Sequence, residues 1–146
     1  MRPDKPGLRP TAETHGRAYP KIPAADSKTK QQIRADQDRR FRAAVWDRDH
    51  GIDRATGIPV EHYHDNWRLR GEVHHLRSRR AAPELRVNPS NGVLLSVASH
   101  WLADGRGGRL LRLTDPATGE PATDANQPIR FTCYDRAGGV LWSRVG

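Results

Sequence analysis

The stretch "EVHHLRSRRAAPELRVNPSNGVLLSVASHW", from Glu72 to Trp101, constrains the fold more than any other part of the chain. "EVHHL" has the length and residue types of a short strand. "RSRRAAPELRVNPS" is an arginine-rich loop holding two prolines. "NGVLLSVASHWLAD" opens as an apolar run and turns helical before "GRGG" ends it. A strand, a loop, a second extended piece and a helix therefore follow one another with few residues to spare. The same stretch holds a histidine pair, His74 and His75. Asn91 comes sixteen positions after the second histidine, and His100 nine positions after that.

The flanking sequence is consistent with one mixed α+β domain. Asp26 or Ser27 can cap a helix over "KTKQQIRADQDRRFRAAVW", which is free of Gly and Pro and carries a thin apolar stripe of Ile33, Phe41, Ala44 and Val45. "DRDHGIDRATGIPV" reads as a hairpin-like piece with two Gly-centred turns. Beyond the central stretch, "RLLRLT", "IRFTCY" and "VLWSRV" read as three strands separated by turn-rich segments. Residues 1–26 hold five prolines and no apolar periodicity, and read as a basic, flexible arm. Residues 27–146 form the remaining domain.

Charge points to the partner. The chain of 146 residues has a formal net charge of +8, with 21 Arg against 4 Lys. Such a balance favours a polyanion, most simply nucleic acid, because cationic side chains release condensed counterions from phosphates. Arg suits phosphate because its planar fork bonds two oxygens at once. The charge is concentrated around the central stretch. From Trp67 to Arg86, six arginines (Arg68, Arg70, Arg77, Arg79, Arg80 and Arg86) stand against two acids (Glu72 and Glu84), a local balance of +4. These arginines are expected to contact a DNA backbone without reading its sequence. Cys133 is the only cysteine, which excludes an intramolecular disulfide and any zinc site built on cysteine pairs. No long apolar run and no charged-then-apolar leader is seen, so an intracellular protein without a membrane partner is expected.

Imidazole nitrogens ligate divalent metals, and a neutral imidazole is a natural general base near neutral pH. Phosphodiester hydrolysis needs both functions: a proton must leave water, and charge on the phosphate and departing oxygen must be held. One difficulty follows from strand geometry, since adjacent side chains point to opposite faces. His74 and His75 can serve one phosphate only where the strand twists or the site lies across its end. His15 and His50 read as solvated, and His62 and His64 in "EHYHD" alternate like a strand face.

"EVHHL…NGVLLSVASH", with "FRAAVWDRDHGIDRATG" ahead of it, resembles the HNH endonucleases, particularly the small ones of bacteriophages and prophages. The resemblance covers Phe41 to Asp104. It implies a ββα-metal core over residues 41–104, here with an N-terminal helix and a C-terminal extension of antiparallel strands over residues 105–146. It implies that His74 and His100 ligate one divalent metal and that His75 activates water. Asn91 would orient the loop and the base, although in some family members it lies near or on the metal. A third ligand one helical turn after His100 would be Asp104, which otherwise is simply an acid just before Gly105. Mg²⁺ is the usual cofactor the resemblance implies, and the two imidazoles would also accept Mn²⁺, Ni²⁺ or Zn²⁺.

Many family members hold this fold with a structural zinc on two cysteine pairs. The corresponding positions here are Asp53, Thr56, Ser96 and Ser99, so no structural zinc is expected and packing by Trp46, Trp67, Trp101 and Trp142 is expected instead. The resulting expectation is a metal-dependent DNA endonuclease, a hydrolase of phosphodiester bonds. By resemblance it would be phage-encoded, act in the cytoplasm of the infected bacterium and work beside the terminase in DNA packaging. A catalytically inactive DNA-binding or packaging accessory protein on the same fold is the alternative, and a toxin or restriction nuclease would share the chemistry in another setting.

Overall fold

The computed structural model describes residues 28–146; the expected arm at 1–26 and the caps Asp26 and Ser27 lie outside them. The fold is mixed α+β, with two helices and two antiparallel sheets. In chain order the elements are α1 (Lys30–Arg48), β1 (Gly71–His75), β2 (Gly92–Ser96), α2 (Val97–Ala103), β3 (Leu110–Thr114), β4 (Arg130–Tyr134) and β5 (Val140–Val145). β1 pairs with β2, and β3, β4 and β5 form a separate sheet in that order. The three C-terminal strands fall where "RLLRLT", "IRFTCY" and "VLWSRV" place them. Among the described residues no helix is long and apolar enough to cross a membrane.

Helix α1 begins later than its sequence indicates. Thr29 is the N-cap: its hydroxyl accepts from the Gln32 N–H at 3.2 Å, and the Gln32 side chain accepts from the Thr29 N–H at 2.8 Å. This reciprocal pair satisfies two of the four donors that a helix start leaves open. The apolar stripe packs only in its second half. Phe41 and Val45 are buried, Ala44 is half-buried, and Ile33 remains 46% exposed.

The reason lies in β2, all five residues of which are buried. Its alternating side chains serve two clusters. Leu94 packs with Phe41, Val45 and Val60 under α1, whereas Val93 and Leu95 pack with Leu111, Ile129, Phe131 and Cys133 of the C-terminal sheet. β2 is thus a middle layer between helix and sheet, which requires an uninterrupted apolar run. Gly92 permits the close approach of α1. A Cβ there would lie 2.7 Å from Phe41 Cζ and 2.9 Å from Val45 Cγ2.

Polar groups in residues 48–54 tie the layers together. Arg48 donates to the carbonyls of Pro89 at 2.7 Å and Gly92 at 2.6 Å. Asp49 accepts from the Leu94 N–H at 2.9 Å, and Arg54 donates to the carbonyls of Ala125, Gln127 and Gly146. Three of the four positions where a zinc clamp would stand form a buried hydrogen-bonded set. The Ser99 hydroxyl donates to Asp53 Oδ2 at 2.6 Å, and Ser96 Oγ lies 3.1 Å from Ser99 Oγ. The Ala55 N–H donates to Asp53 Oδ1 at 2.9 Å. Thr56 stands apart and accepts only from the Ile58 N–H, at 3.3 Å.

Tryptophan packing is correspondingly smaller than expected. Trp67 and Trp101 meet edge to face at 5.7 Å, each 42% exposed, while Trp46 and Trp142 pack partly buried against the two clusters.

Two outcomes follow. Ser99→Ala leaves the buried Asp53 carboxylate short of a donor and lowers the unfolding free energy by about 2 kcal/mol, read from urea denaturation. Gly92→Ala overpacks the α1–β2 contact and lowers it by about 1–3 kcal/mol in the same measurement.

Candidate active site

His74 and His75 point to opposite faces of β1, as an extended strand requires. The His74 ring meets the ring of His100 on α2 edge to face, with centroids 4.9 Å apart. The His75 ring stacks on Phe41 of α1, at 5.0 Å and 22°. His75 and His100, but not His74, line one cleft. β1 has no strand beyond its outer edge in its two-stranded sheet, and a cleft of about 520 Å³ runs there, lined by Glu72, His75 and Arg79 and by His100 from α2. The two histidines are thus joined through His100, which meets the His74 ring and also lines the cleft.

Hydrogen bonding fixes the state of His75. Its Nε2 lies 2.9 Å from the carbonyl oxygen of Arg86. A carbonyl only accepts, so Nε2 carries the proton and Nδ1 holds the lone pair. Burial is the main cause that lowers the pKa of His75; its bond to Arg86 opposes the shift and the charge of Arg79 reinforces it. The ring is therefore a neutral base with one available nitrogen.

Asn91 is fully buried and holds the loop that supplies this carbonyl. Its Oδ1 accepts from the Arg77 N–H at 2.8 Å, and its Nδ2 donates to the carbonyls of Arg77 at 3.0 Å and Leu85 at 3.3 Å. One amide thus spans both ends of residues 77–85 and sets the position of Arg86, whose carbonyl aligns His75. All the hydrogen bonds of the Asn91 side chain go to backbone groups of this loop.

His74, His100 and Asp104 each offer a ligand atom, and the three atoms lie within 4.8 Å of one another. His100 Nδ1 is 2.8 Å from Glu72 Oε2, so in the neutral ring the proton sits on Nδ1 and Nε2 is free. That Nε2 faces Asp104 Oδ2 at 3.8 Å. Two acceptors facing each other, beside a third on His74, form a donor set suited to a cation. Asp104 caps the C-terminus of α2, where the helix dipole disfavours an acid and a bound cation would compensate. Burial, followed by repulsion from His100, pushes the pKa of His74 from 6.5 down to about 4, so this ring is neutral and able to ligate.

The sequence offered no sign of Glu72 as a partner of His100. The pairing arises because β1 lies against α2, and the relevant signal is a carboxylate two residues before a ligand on one strand face. The arginines divide. Arg79 lines the cleft, and Arg68, Arg77 and Arg80 are exposed. Arg70 is half-buried and lines a neighbouring hollow beside Tyr63 and His64. Arg86 departs from its expected role as a DNA contact: its guanidinium pairs with Asp38 and donates to Gln37 Oε1 at 2.7 Å, which turns it onto α1. Arg42 of α1, not singled out from the sequence, lines the cleft. His62 and His64 do not join a ligand group; His62 stacks on Trp46, and His64 Nδ1 accepts from the Asn66 N–H at 2.9 Å.

Comparisons with protein-family models, curated proteins and solved structures found no match.

The buried histidines predict a pH dependence of stability. His74 titrates near 6.5 when unfolded and at about 4 when folded, so between these values only the unfolded chain holds its proton. Stability is full above pH 6.5 and falls as pH drops towards 4. Thermal melts in metal-free buffer are expected to show this loss, and His74→Gln to reduce it.

Proposed function

We propose that the chain is a metal-dependent endonuclease of the ββα-metal type, hydrolysing phosphodiester bonds in DNA. The observation that carries this reading is a tautomer-fixed histidine on β1 beside a three-residue group able to hold a metal, with His100 of that group lining the same cleft as His75. An antiparallel strand pair running directly into a helix, β1–β2–α2, supports the ββα-metal assignment. The basic charge, with Arg42 and Arg79 in the cleft, supports a nucleic-acid substrate.

Each residue then has a distinct task. His75 Nδ1 takes a proton from the attacking water while its Nε2–H stays on the Arg86 carbonyl. The resulting imidazolium is stabilised by that same bond. Asn91 holds the loop and hence the aim of the base. Arg79 and Arg42 contact phosphate oxygens and keep the backbone in the cleft. Glu72 fixes the ring of His100 so that Nε2 faces Asp104. His74, His100 and Asp104 would hold one divalent cation, which supplies charge stabilisation to the phosphate and the departing oxygen. Two nitrogen donors and one carboxylate fit Mn²⁺, Ni²⁺ and Zn²⁺, as well as Mg²⁺ at the harder oxygen. Water adds across the P–O bond, giving a phosphate monoester on one strand end and a hydroxyl on the other.

The reading predicts relaxation of supercoiled plasmid in Mg²⁺ or Mn²⁺. His75→Ala lowers the rate by about a hundredfold or more, the usual contribution of a positioned general base. Intact supercoiled DNA across all metals would sink the enzyme reading, and leave a DNA-binding protein. Cutting by His75→Ala at the wild-type rate would remove His75 from the base role.

A further inference from the structure

The cleft that holds His75 and His100 extends past the end of β1 into an aromatic end that the hydrolytic reading does not use. Trp46 of α1 forms its floor. A Cβ on Gly71 would come within 2.7 Å of Trp46 Cη2 and Cζ2, so the missing side chain lets the indole press against the strand backbone. Gly51, at φ 64°, lines another side of the same ring, 3.8 Å from Trp46 Cζ3 if given a Cβ. The close approach is thus made at Gly71, while Gly51 leaves ordinary contact distance to the ring. The imidazole of His62 lies on it, with centroids 3.8 Å apart and planes at 24°. Tyr63 follows at 6.5 Å from His62, tilted by 45°. Its ring is 92% exposed and belongs to neither core cluster. His62 thus lies on Trp46 and Tyr63 stands beside His62, in the same cleft as His75 and two arginines.

We propose that this aromatic end is a stacking site for one unpaired nucleobase, making single-stranded or locally unpaired DNA the preferred substrate class; this rests on the nuclease reading above. Every nucleobase presents a π-face, and stacking on aromatic side chains binds it without sequence preference. A paired base inside a duplex has both faces covered by its neighbours and must leave the stack to use such a site. The flanking arginines, Arg42 and Arg79, suit the phosphates on either side of that base. The charge on the chain selects a polyanionic strand over a neutral aromatic ligand. Stacking next to His75 would hold the backbone still where the water attacks, so the site would act on positioning and on substrate choice.

The test uses the full chain in EDTA and oligonucleotides carrying 2-aminopurine, whose fluorescence falls when it stacks. With the probe at an unpaired position, wild type and His75→Ala quench it, and with the probe inside a perfect duplex they do not. Tyr63→Ala and His62→Ala weaken this capture roughly tenfold, the scale of one base–aromatic stack. Tyr63→Phe restores it, because the ring face and not the hydroxyl is used. Exposure of Tyr63 makes its substitution harmless to folding, so loss of capture reports the contact. Equal quenching of paired and unpaired probes, or undiminished capture by Tyr63→Ala, overturns the proposal. Plasmid relaxation in Mn²⁺ on the same preparations separates the two readings. Cutting without base capture removes the stacking site and keeps the nuclease. Base capture without cutting keeps the stacking site and overturns its role in substrate choice.

Discussion

β2 is buried on both faces, and most of the architecture follows from that. Five consecutive residues without solvent contact need a cover on each side, and a short two-stranded sheet provides neither. The second half of α1 covers the Leu94 side, and the C-terminal sheet covers the Val93 and Leu95 side. Residues 105–146 are therefore part of the core in a physical sense, because without β3 and β4 the lower face of β2 would lie open to water. Arg48, Asp49 and Arg54 bind these covers to one another through backbone carbonyls and N–H groups. A polar hub of this kind stabilises only when each member is satisfied, and no buried side-chain nitrogen or oxygen among the described residues lacks a partner.

The candidate site grows out of the same layer. β2 fixes β1 by antiparallel pairing, with His74 opposite Val93 and His75 opposite Gly92. α2 leaves β2 without a linker, so His100 is delivered to the side of β1 that carries His74. Phe41 packs beside β2 and also stacks on His75, which makes His75 share its support with the core. Asn91 ends the connecting loop one residue before β2 starts, and its amide closes that loop onto itself. Small changes in the α1–β2 contact are thus expected at His75 before they reach His74, His100 and Asp104.

Asp53, Ser99 and Ser96 form a buried hydrogen-bonded set. A carboxylate buried with one hydroxyl and one amide donor joins residues 53–55 to the start of α2, the same two segments a metal clamp would join. Hydrogen bonds of this kind are individually weaker than metal ligation. Two apolar clusters and Arg54, which donates to the Gly146 carbonyl, add to them.

Sequence by itself determined the order and type of the elements from "EVHHL" onward, because strand alternation, a continuous apolar run and Gly or Pro punctuation are local properties. The spacing of His74, His75, Asn91 and His100 is likewise a chain property, whereas Asp104 drew notice only through the resemblance. The start of α1 was hidden because Thr29 and Gln32 cap through a side-chain exchange that competing cap residues upstream mask. Tertiary structure alone decided which partners these residues have. Glu72 reaches His100 across two elements, Arg86 is spent on Asp38 although its charge reads like that of any other arginine, and Trp46 presses against β1 at Gly71 while His62 stacks on its ring. Such pairings depend on the packing distance between elements far apart in sequence, and no local pattern encodes that distance.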